Sequence, residues 1–186
     1  MGTGKSKVLN YLEDEYHATV RQLDKVAKEL QEVGTPCYDA IVEAFGPEVL
    51  LPDGNLDRRT IAKVMFSDSG KRQLMNKIVH PKVKEWIRED IKKERLKEVH
   101  LYVIEAALLV EDNYKEICDE IWFIYSEKSD RIDRLEKSRG YSKEKIEQIM
   151  SAQLSDQEFR ENTDITVDNS GKFEETTREI KARLHS

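Results

Sequence analysis

The chain has 186 residues, of which 38% are hydrophobic and 37% are charged, and this length suits one domain or one domain with a small insert. Its 31 basic and 37 acidic side chains give a net charge of −6, which argues against a general binder of nucleic acid or acidic membranes. No apolar run is long enough to cross a bilayer, and Cys37 and Cys118 are too few for a disulfide scaffold. We therefore expect a helix-rich cytoplasmic protein with reduced thiols.

The first part of the chain alternates helical and extended patterns. Apolar residues at helical spacing follow Ser6, and a short strand is predicted over residues 18–20. Helical spacing then resumes and stops at Gly34, and Pro36 opens a further helix that Gly46 ends. This part is thus predicted to contain a helix, a strand and two more helices.

The next part has helical patterns only. Residues 51–54 have the composition of a turn, and Asp57 and Ser67 are predicted to cap two helices. The pair His80-Pro81 is predicted to interrupt the second of these, after which a long charged helix runs on.

Compact runs of β-branched and aromatic residues then predict three buried strands, over residues 100–105, 121–125 and 165–168. A charged helix over residues 131–139 and a further helix follow the second of these strands. A terminal helix follows the last strand.

Strands that alternate with helices are joined by crossover connections, which indicates a parallel sheet covered on both faces. We predict a single α/β domain over residues 1–186. Its core would comprise about residues 1–34 and 98–186, and about residues 35–97 would form a helical insert.

The first six residues, Met1-Gly2-Thr3-Gly4-Lys5-Ser6, carry the strongest signal for chemistry. Gly-Lys-Ser at the start of a helix is the end of a phosphate-binding loop, in which backbone N–H groups close around phosphate oxygens. Lys5 would supply a charge to the β- and γ-phosphates, and the Ser6 hydroxyl would hold Mg²⁺. The full motif and the strand that feeds it need residues before Met1, so we expect either an upstream extension or a weakened domain. An ordinary glycine-rich terminus is the alternative.

Weaker motifs follow the loop in order along nearly the whole chain: Asp24-Lys25, Gly34-Thr-Pro-Cys-Tyr38, Phe45-Gly46, Leu51-Pro-Asp-Gly54, Leu56-Asp-Arg58, Ile78-Val-His-Pro81, Glu105-Ala-Ala-Leu-Leu-Val-Glu111 and Asp168-Asn-Ser-Gly171. In their order and spacing they resemble the dephospho-CoA kinases, the P-loop kinases of the final step of coenzyme A synthesis. The resemblance implies a P-loop kinase-type parallel sheet flanked by helices, with a helical substrate-binding insert and a lid at about 128–153. It also implies that ATP and Mg²⁺ are used to phosphorylate the ribose 3′-hydroxyl of dephospho-CoA.

The resemblance assigns roles to acids at the carboxyl ends of two predicted strands. Asp24 would accept the proton of the acceptor hydroxyl or orient that hydroxyl, whereas the local sequence also allows a simple helix N-cap. Glu105, where the family often has Asp, would reach Mg²⁺ through water or bind substrate, and its alternative is a solvated strand end. Glu111 is a further acid of the same motif.

Arginines of the lid helix would cover the transferring phosphate, because planar guanidinium donors match phosphate oxygens. Arg139 is one place from the family's usual arginine and is the predicted lid residue, on a helix that also carries Arg131 and Arg134. Interleaved acids make a solvated, salt-bridged helix the alternative. The predicted catalytic residues are Lys5, Asp24 and Arg139.

The same resemblance assigns residues to the nucleotide and to the substrate. The residues assigned to ATP are Gly2, Thr3, Gly4, Lys5, Ser6, Lys7 and, facing the adenine, Asn169. The residues assigned to dephospho-CoA are Tyr38, Arg58, His80 and Glu105. Their structural alternatives are a turn residue for Asn169, a core aromatic for Tyr38, a surface cation for Arg58 and a helix-break histidine for His80.

Two other functions stay open from the sequence. One is a different small-molecule P-loop kinase, which would lack the ordered motifs between Gly34 and Pro81. The other is a non-catalytic protein that binds a nucleotide or coenzyme A, which the incomplete loop motif would favour. We expect a monomer whose partners are small molecules, with neither nucleic acid nor membrane among them.

Overall fold

The computed structural model describes residues 1–106, 109–110, 112–151 and 153–185. Its helices are α1 (Lys5–Tyr16), α2 (Leu23–Glu29), α3 (Pro36–Phe45), α4 (Arg58–Ser67), α5 (Ser69–Arg95), α6 (Lys128–Arg139), α7 (Lys143–Ser151), α8 (Asp156–Asn162) and α9 (Phe173–Leu184). Its strands are β1 (Thr19–Gln22), β2 (Tyr102–Glu105), β3 (Trp122–Tyr125) and β4 (Ile165–Asp168). Within this described part, no helix is both long and apolar enough to span a membrane.

The chain divides into two compact units, each with its own parallel strand pair. The first unit comprises Met1–Ala18 and Leu108–Ser186, and the second comprises Thr19–Ala107. One tryptophan belongs to each unit, Trp122 on β3 and Trp86 on α5. The parallel strands and flanking helices agree with the α/β class predicted from the sequence.

In the first unit, β3 and β4 pair in parallel, from Trp122 opposite Ile165 to Tyr125 opposite Asp168. Because parallel strands end at the same edge of a sheet, the residues that follow them meet at one place, and the Asn169 N–H donates to the Tyr125 carbonyl at 2.8 Å. The buried apolar side chains of this unit include Val8, Leu9, Leu12, Phe123, Leu135, Ile146, Val167 and Ile180.

In the second unit, β1 and β2 pair in parallel, from Thr19 opposite Tyr102 to Gln22 opposite Glu105. Helices α2, α3 and α4 each contact the long helix α5. The apolar side chains buried here include Val26, Ile41, Phe45, Val49, Ile61, Met75, Val79, Val83 and Ile87.

A polar cluster ties the strands of the second unit to α5. Arg21 donates from Nε to Asp90 at 2.7 Å and from Nη2 to Glu94 at 3.1 Å, and the Tyr102 hydroxyl donates to Asp90 at 2.7 Å. Burial disfavours the charge on Asp90, but the hydrogen bonds from Arg21 and Tyr102 outweigh it and hold the pKa of this carboxyl below its usual value. Burial and the bond to Asp90 raise the pKa of Tyr102.

Several predicted boundaries are confirmed. Helix α3 starts at Pro36 and ends at Phe45, with Gly46 after its last turn. Asp57 caps α4, since its carboxylate accepts from the Arg59 and Thr60 N–H groups. Strand β4 and helix α9 also lie where they were predicted.

Three predictions about helix ends are wrong. Ser67 ends α4 and its hydroxyl donates to the Val64 carbonyl, whereas Asp68 caps α5 by accepting from the N–H groups of the next helix. Helix α5 runs through Pro81 without interruption, because buried side chains before and after it, Val79 and Val83, keep one face packed. Helix α2 ends at Glu29, well before Gly34. Thr35 then caps α3, because its hydroxyl accepts from the Tyr38 N–H.

Candidate active site

The phosphate-loop residues lead into α1 with the geometry that a phosphate loop requires. Gly4 stands at the N-cap with φ +78°, and Gly2 has φ +81°, both in the left-handed region that favours glycine. Lys5 and Ser6 are the first residues of α1. Among the described residues no side chain caps this helix, and its first turn contains no acid, so the N–H groups of that turn have no side-chain acceptor at the cap position.

The loop is packed so closely that only glycine fits at two positions. A Cβ at Gly4 would collide with the side-chain nitrogen of Asn169, and a Cβ at Gly2 would lie 2.9 Å from the Arg131 carbonyl oxygen. The loop is therefore pressed against the start of α6 on one side and against the residue after β4 on the other.

Asn169 is buried, and its side chain forms hydrogen bonds within the protein. Its Nδ2 donates to the Thr3 carbonyl at 2.7 Å, and its Oδ1 accepts from the Thr176 hydroxyl at 3.1 Å. The side-chain orientation follows from chemistry, because the Thr3 carbonyl can only accept. Asn169 is 4% exposed.

Ser126, which follows β3, completes the contact at the same edge. Arg134 of α6 donates from Nη1 to the Ser126 hydroxyl at 2.8 Å and from Nη2 to the Asn169 carbonyl at 2.7 Å. The Ser126 hydroxyl lies 2.8 Å from the Asn169 carbonyl and 3.3 Å from the Thr3 carbonyl. The loop, both strand ends and α6 thus share one buried polar network.

Positive charge collects around the loop. Arg131 is buried, and its Nη1 donates to Asp156 at 3.1 Å, while its Nε is buried with no hydrogen-bond partner in the described part of the chain. Burial, followed by the charges of Arg131 and Lys5, lowers the pKa of the Met1 amino group to about 6. An unsatisfied buried donor next to a glycine loop and a bare helix N-terminus fits an anionic ligand such as a phosphate.

The charged groups of two residues assigned to this site form no hydrogen bond or ion pair with the loop within the described part of the chain. The Lys7 ammonium sits 4.0 Å from the centre of the Phe173 ring, a cation–π contact with α9. Arg139 is exposed in the last turn of α6. The guanidinium groups that the structure brings to the loop are those of Arg131 and Arg134, and Arg139 stays a prediction.

The acids predicted to serve the acceptor lie together in the second unit. Asp24 is exposed in the first turn of α2, two residues after the end of β1, and the N-cap of that helix is Gln22 rather than Asp24. Glu105 is the last residue of β2 and pairs with Gln22. The carboxyl edge of this strand pair therefore carries both acids, while Glu111 lies outside the described residues.

The residues assigned to dephospho-CoA have structural contacts in the second unit. The Tyr38 hydroxyl donates to the Gly54 carbonyl and closes the 51–54 turn against α3. Arg58 is exposed, and its Nη2 lies 3.3 Å from the Lys28 carbonyl near the end of α2. His80 is half-buried within α5.

Two contributors to the loop network were missed or underweighted from the sequence. Ser126 was not singled out, although a residue directly after a buried parallel strand is where ligands of α/β folds gather. Arg134 was named only as one charge among several on α6. A position after a strand and a charge on a helix are both common features, so neither singles out its residue until the pairing of β3 with β4 is known.

A helix opened by Gly-Lys-Ser and anchored at the carboxyl edge of parallel strands defines a P-loop α/β protein. The sequence profile described as dephospho-CoA kinase matches residues 1–175, and the chain belongs to that family. It is 35% identical over 193 residues to a dephospho-CoA kinase of Thermobifida fusca, covering 100% of this chain and 95% of that one. It is 33% identical over 181 residues to that of Geobacter sulfurreducens, covering 97% and 91%.

Solved structures give the same fold. TT1252 from Thermus thermophilus superposes with a TM-score of 0.81 at 25% identity, covering 100% of this chain and 92% of that one. A dephospho-CoA kinase from Campylobacter jejuni superposes with a TM-score of 0.70 at 18% identity, covering 98% and 92%. The second likeness concerns the fold alone.

Proposed function

We propose that the protein transfers the terminal phosphoryl group of ATP to the ribose 3′-hydroxyl of dephospho-CoA, which gives coenzyme A and ADP. Membership of the dephospho-CoA kinase family over residues 1–175 supports this reaction. The observation that carries it is the left-handed Gly4 ahead of Lys5 and Ser6, held by a buried network at the ends of two parallel strands.

The first unit would hold the nucleotide phosphates. Lys5 and the N–H groups at the start of α1 would bind phosphate oxygens, and the Arg131 Nε would gain the partner that the described residues do not provide. The Ser6 hydroxyl would hold Mg²⁺, and the ion would neutralise charge on the transferring phosphate. Among the described residues no group of three or more His, Cys, Asp or Glu side chains forms a metal cage, so phosphate oxygens would supply much of the ion's coordination.

The second unit would serve the acceptor. Asp24 would accept the proton of the attacking hydroxyl or orient that hydroxyl, and Glu105 at the end of β2 would bind substrate or a water on Mg²⁺. Asp24 is suited to this because it is exposed and lies just beyond a strand end. Tyr38, Arg58 and His80 would contact dephospho-CoA in this proposal.

The test is an ADP-release assay with Mg²⁺ and ATP, in which dephospho-CoA is compared with nucleoside monophosphates and with no acceptor. We expect turnover with dephospho-CoA alone, loss of turnover on addition of EDTA, and recovery on excess Mg²⁺. Mass spectrometry then identifies the product as coenzyme A, because its mass exceeds that of dephospho-CoA by one phosphate group.

The assay also separates the other functions that the sequence left open. Phosphorylation of a nucleoside monophosphate in preference to dephospho-CoA would assign a different small-molecule kinase. Tight binding of ATP or coenzyme A with no turnover under any of these conditions would assign a binding protein.

A further inference from the structure

We infer that Ser126, Arg134 and Asn169 form a polar lock that aims the phosphate loop, and that Asn169 acts on this loop rather than on the adenine of the nucleotide. The name polar lock refers to these three residues. They lie in the first unit, on the residues after β3 and β4 and on α6. The inference deepens the proposed function and rests on it for the identity of the nucleotide.

The contacts of Asn169 argue against a role in reading the base. Its amide nitrogen donates to the Thr3 carbonyl at 2.7 Å. Its amide oxygen lies 3.1 Å from the Thr176 hydroxyl, whose one proton is shared with the Asp168 carbonyl at 2.9 Å. Its backbone N–H donates to Tyr125, and its carbonyl accepts from Arg134. Because Asn169 is 4% exposed and its amide nitrogen is committed to the Thr3 carbonyl, the side chain faces the loop and not an open nucleotide site.

The geometry of the peptide unit shows what the lock controls. The Thr3 carbonyl and the Gly4 N–H belong to one planar peptide and point in opposite directions. Because Asn169 fixes the Thr3 carbonyl at 2.7 Å, it also fixes the direction of the Gly4 N–H, which points away from Asn169. That N–H immediately precedes the helix whose first residues are Lys5 and Ser6. The lock therefore presets a donor of the phosphate loop before any ligand arrives.

Arg134 serves the lock through two donors at once. Its Nη1 and Nη2 reach the Ser126 hydroxyl and the Asn169 carbonyl at 2.8 and 2.7 Å. A lysine retains the charge but is a point donor that cannot reproduce this fork. Arg134 is thus a positioning residue whose geometry matters in addition to its charge.

The first experiment measures dissociation constants of Mg-ATP, Mg-ITP and Mg-tripolyphosphate by calorimetry for wild-type protein and Asn169→Ala. We expect the variant to bind all three weaker by a common factor of about tenfold, since a buried carbonyl of the loop loses its donor. Asn162→Ala, an exposed asparagine of α8, is the matched control and should bind all three as the wild type does. Weaker ATP binding with unchanged tripolyphosphate binding would overturn the inference, and so would no change in any of the three.

The second experiment follows amide hydrogen exchange of residues 3–6 in the protein without ligand. Arg134→Lys and Ser126→Ala should speed this exchange, and Arg134→Lys should resemble Arg134→Ala rather than the wild type. Combining Arg134→Lys with Asn169→Ala should weaken Mg-ATP binding no more than Asn169→Ala alone, because both act through one link. The lock would be overturned if the two substitutions together weakened Mg-ATP binding by the product of their separate factors, or if Arg134→Lys kept wild-type exchange. Either result would show that Arg134 acts as an independent charge.

Circular dichroism and thermal melting of each variant accompany both experiments. If Asn169→Ala unfolds, Ser126→Ala and Arg134→Lys carry the same test, since each leaves the Thr3 and Asn169 side chains in place. The exchange measurement needs no enzymatic activity. Faster loop exchange in the lock variants of a protein that turns over no dephospho-CoA would therefore support the lock while refuting the proposed function.

Discussion

The cations near the phosphate loop are held in unequal ways. Lys7 lies on the Phe173 ring, and both outer nitrogens of Arg134 are engaged by the polar lock. Arg131 gives one bond to Asp156, and its Nε remains without a partner within the described residues. These three cations therefore differ in their contacts inside the protein. Of the three, Arg131 is the one with a buried donor, Nε, that could still bind a phosphate oxygen.

Removing the loop cation should abolish most turnover. Lys5→Ala deletes the charge assigned to the β- and γ-phosphates, and we expect kcat/KM for dephospho-CoA phosphorylation to fall by about 100-fold or more. Lys145→Ala, which removes an exposed lysine lying on Tyr141, is the control and should keep wild-type rates. Equal rates for Lys5→Ala and Lys145→Ala would contradict the assignment.

Asp24 offers a matched comparison within the second unit. Asp24→Asn keeps shape and removes the charge, and we expect kcat to fall by about 100-fold or more if the carboxylate accepts or orients the hydroxyl proton. Asp39→Asn makes the same change at another exposed acid in the first turn of a helix, and it should leave kcat unchanged. Steady-state kinetics decide, and a fall of similar size in both variants would argue for a general electrostatic effect.

The two cysteines are poorly suited to act as nucleophiles, because their surroundings disfavour the thiolate. Burial raises the pKa of Cys37, and burial with the nearby Asp119 and Asp164 raises the pKa of Cys118 to about 11. Both are free thiols, as expected from their number and spacing.

At the scale of elements, the sequence predicted what depends on neighbours along the chain. Pro36 and Gly46 bound α3 because proline starts helices and glycine ends them without help from the rest of the fold. Helix α8 was missed, although Ser155 and Glu158 form the capping box that marks its start, because the helix is short and buries no side chain. The polar lock was unpredictable for the opposite reason, since Asn169 meets Thr3 only after the chain has folded.

The polar cluster around Asp90 should make the second unit sensitive to acid. The folded pKa of Asp90 lies below the unfolded one of about 3.9, so its contribution is complete above that pH and is lost as the pH falls through the folded pKa. We expect Asp90→Asn to lower the free energy of unfolding by about 1–2 kcal/mol at pH 7, with the difference shrinking below about pH 3.9.

Denaturant unfolding at pH 7 and pH 3 checks this. The control is Glu89→Gln, which changes an exposed neighbour that pairs with Lys92 on the same helix, and its effect should stay below about 1 kcal/mol at both pH values. A constant difference between wild type and Asp90→Asn at both pH values would refute the linkage.

Pro81 should be a site where α5 can be strengthened. The proline is exposed within the helix and removes one backbone donor, while the packing of Val79 and Val83 holds the helix together across it. We expect Pro81→Ala to raise the free energy of unfolding by about 1–3 kcal/mol. Lys82→Ala, at the adjacent exposed position, should change it by less than about 0.5 kcal/mol. Destabilisation by Pro81→Ala would mean that α5 needs the proline.

At the scale of the molecule, residues distant in sequence assemble each unit. The first unit joins Met1–Ala18 to Leu108–Ser186. The division predicted from the sequence, a core of about 1–34 and 98–186 with an insert over about 35–97, stays a prediction. Periodicity identifies strands and helices, but the residues with which each strand pairs are decided by contacts across the fold. For that reason the α/β class was predictable and the grouping of β1 with β2 was not.

Nucleotide binding should stabilise the whole chain by mass action. Free Mg-ATP at about 100 times its Kd adds about 2.7 kcal/mol to the free energy of unfolding of a protein that binds it only when folded. We expect this gain for the wild type and its loss for Lys5→Ala at the same nucleotide concentration. Thermal denaturation with and without Mg-ATP measures it, and an equal gain in both proteins would place the nucleotide away from Lys5.

The placement of one indole in each compact unit has a practical consequence. Trp86 and Trp122 are both half-buried, so the emission of each changes when its surroundings become exposed to water. Trp122→Phe leaves Trp86 as the fluorophore, which reports on the second unit, and Trp86→Phe leaves Trp122, which reports on the first unit. Two single-indole proteins would thus give separate optical records of the two halves of the enzyme from an otherwise unlabelled chain.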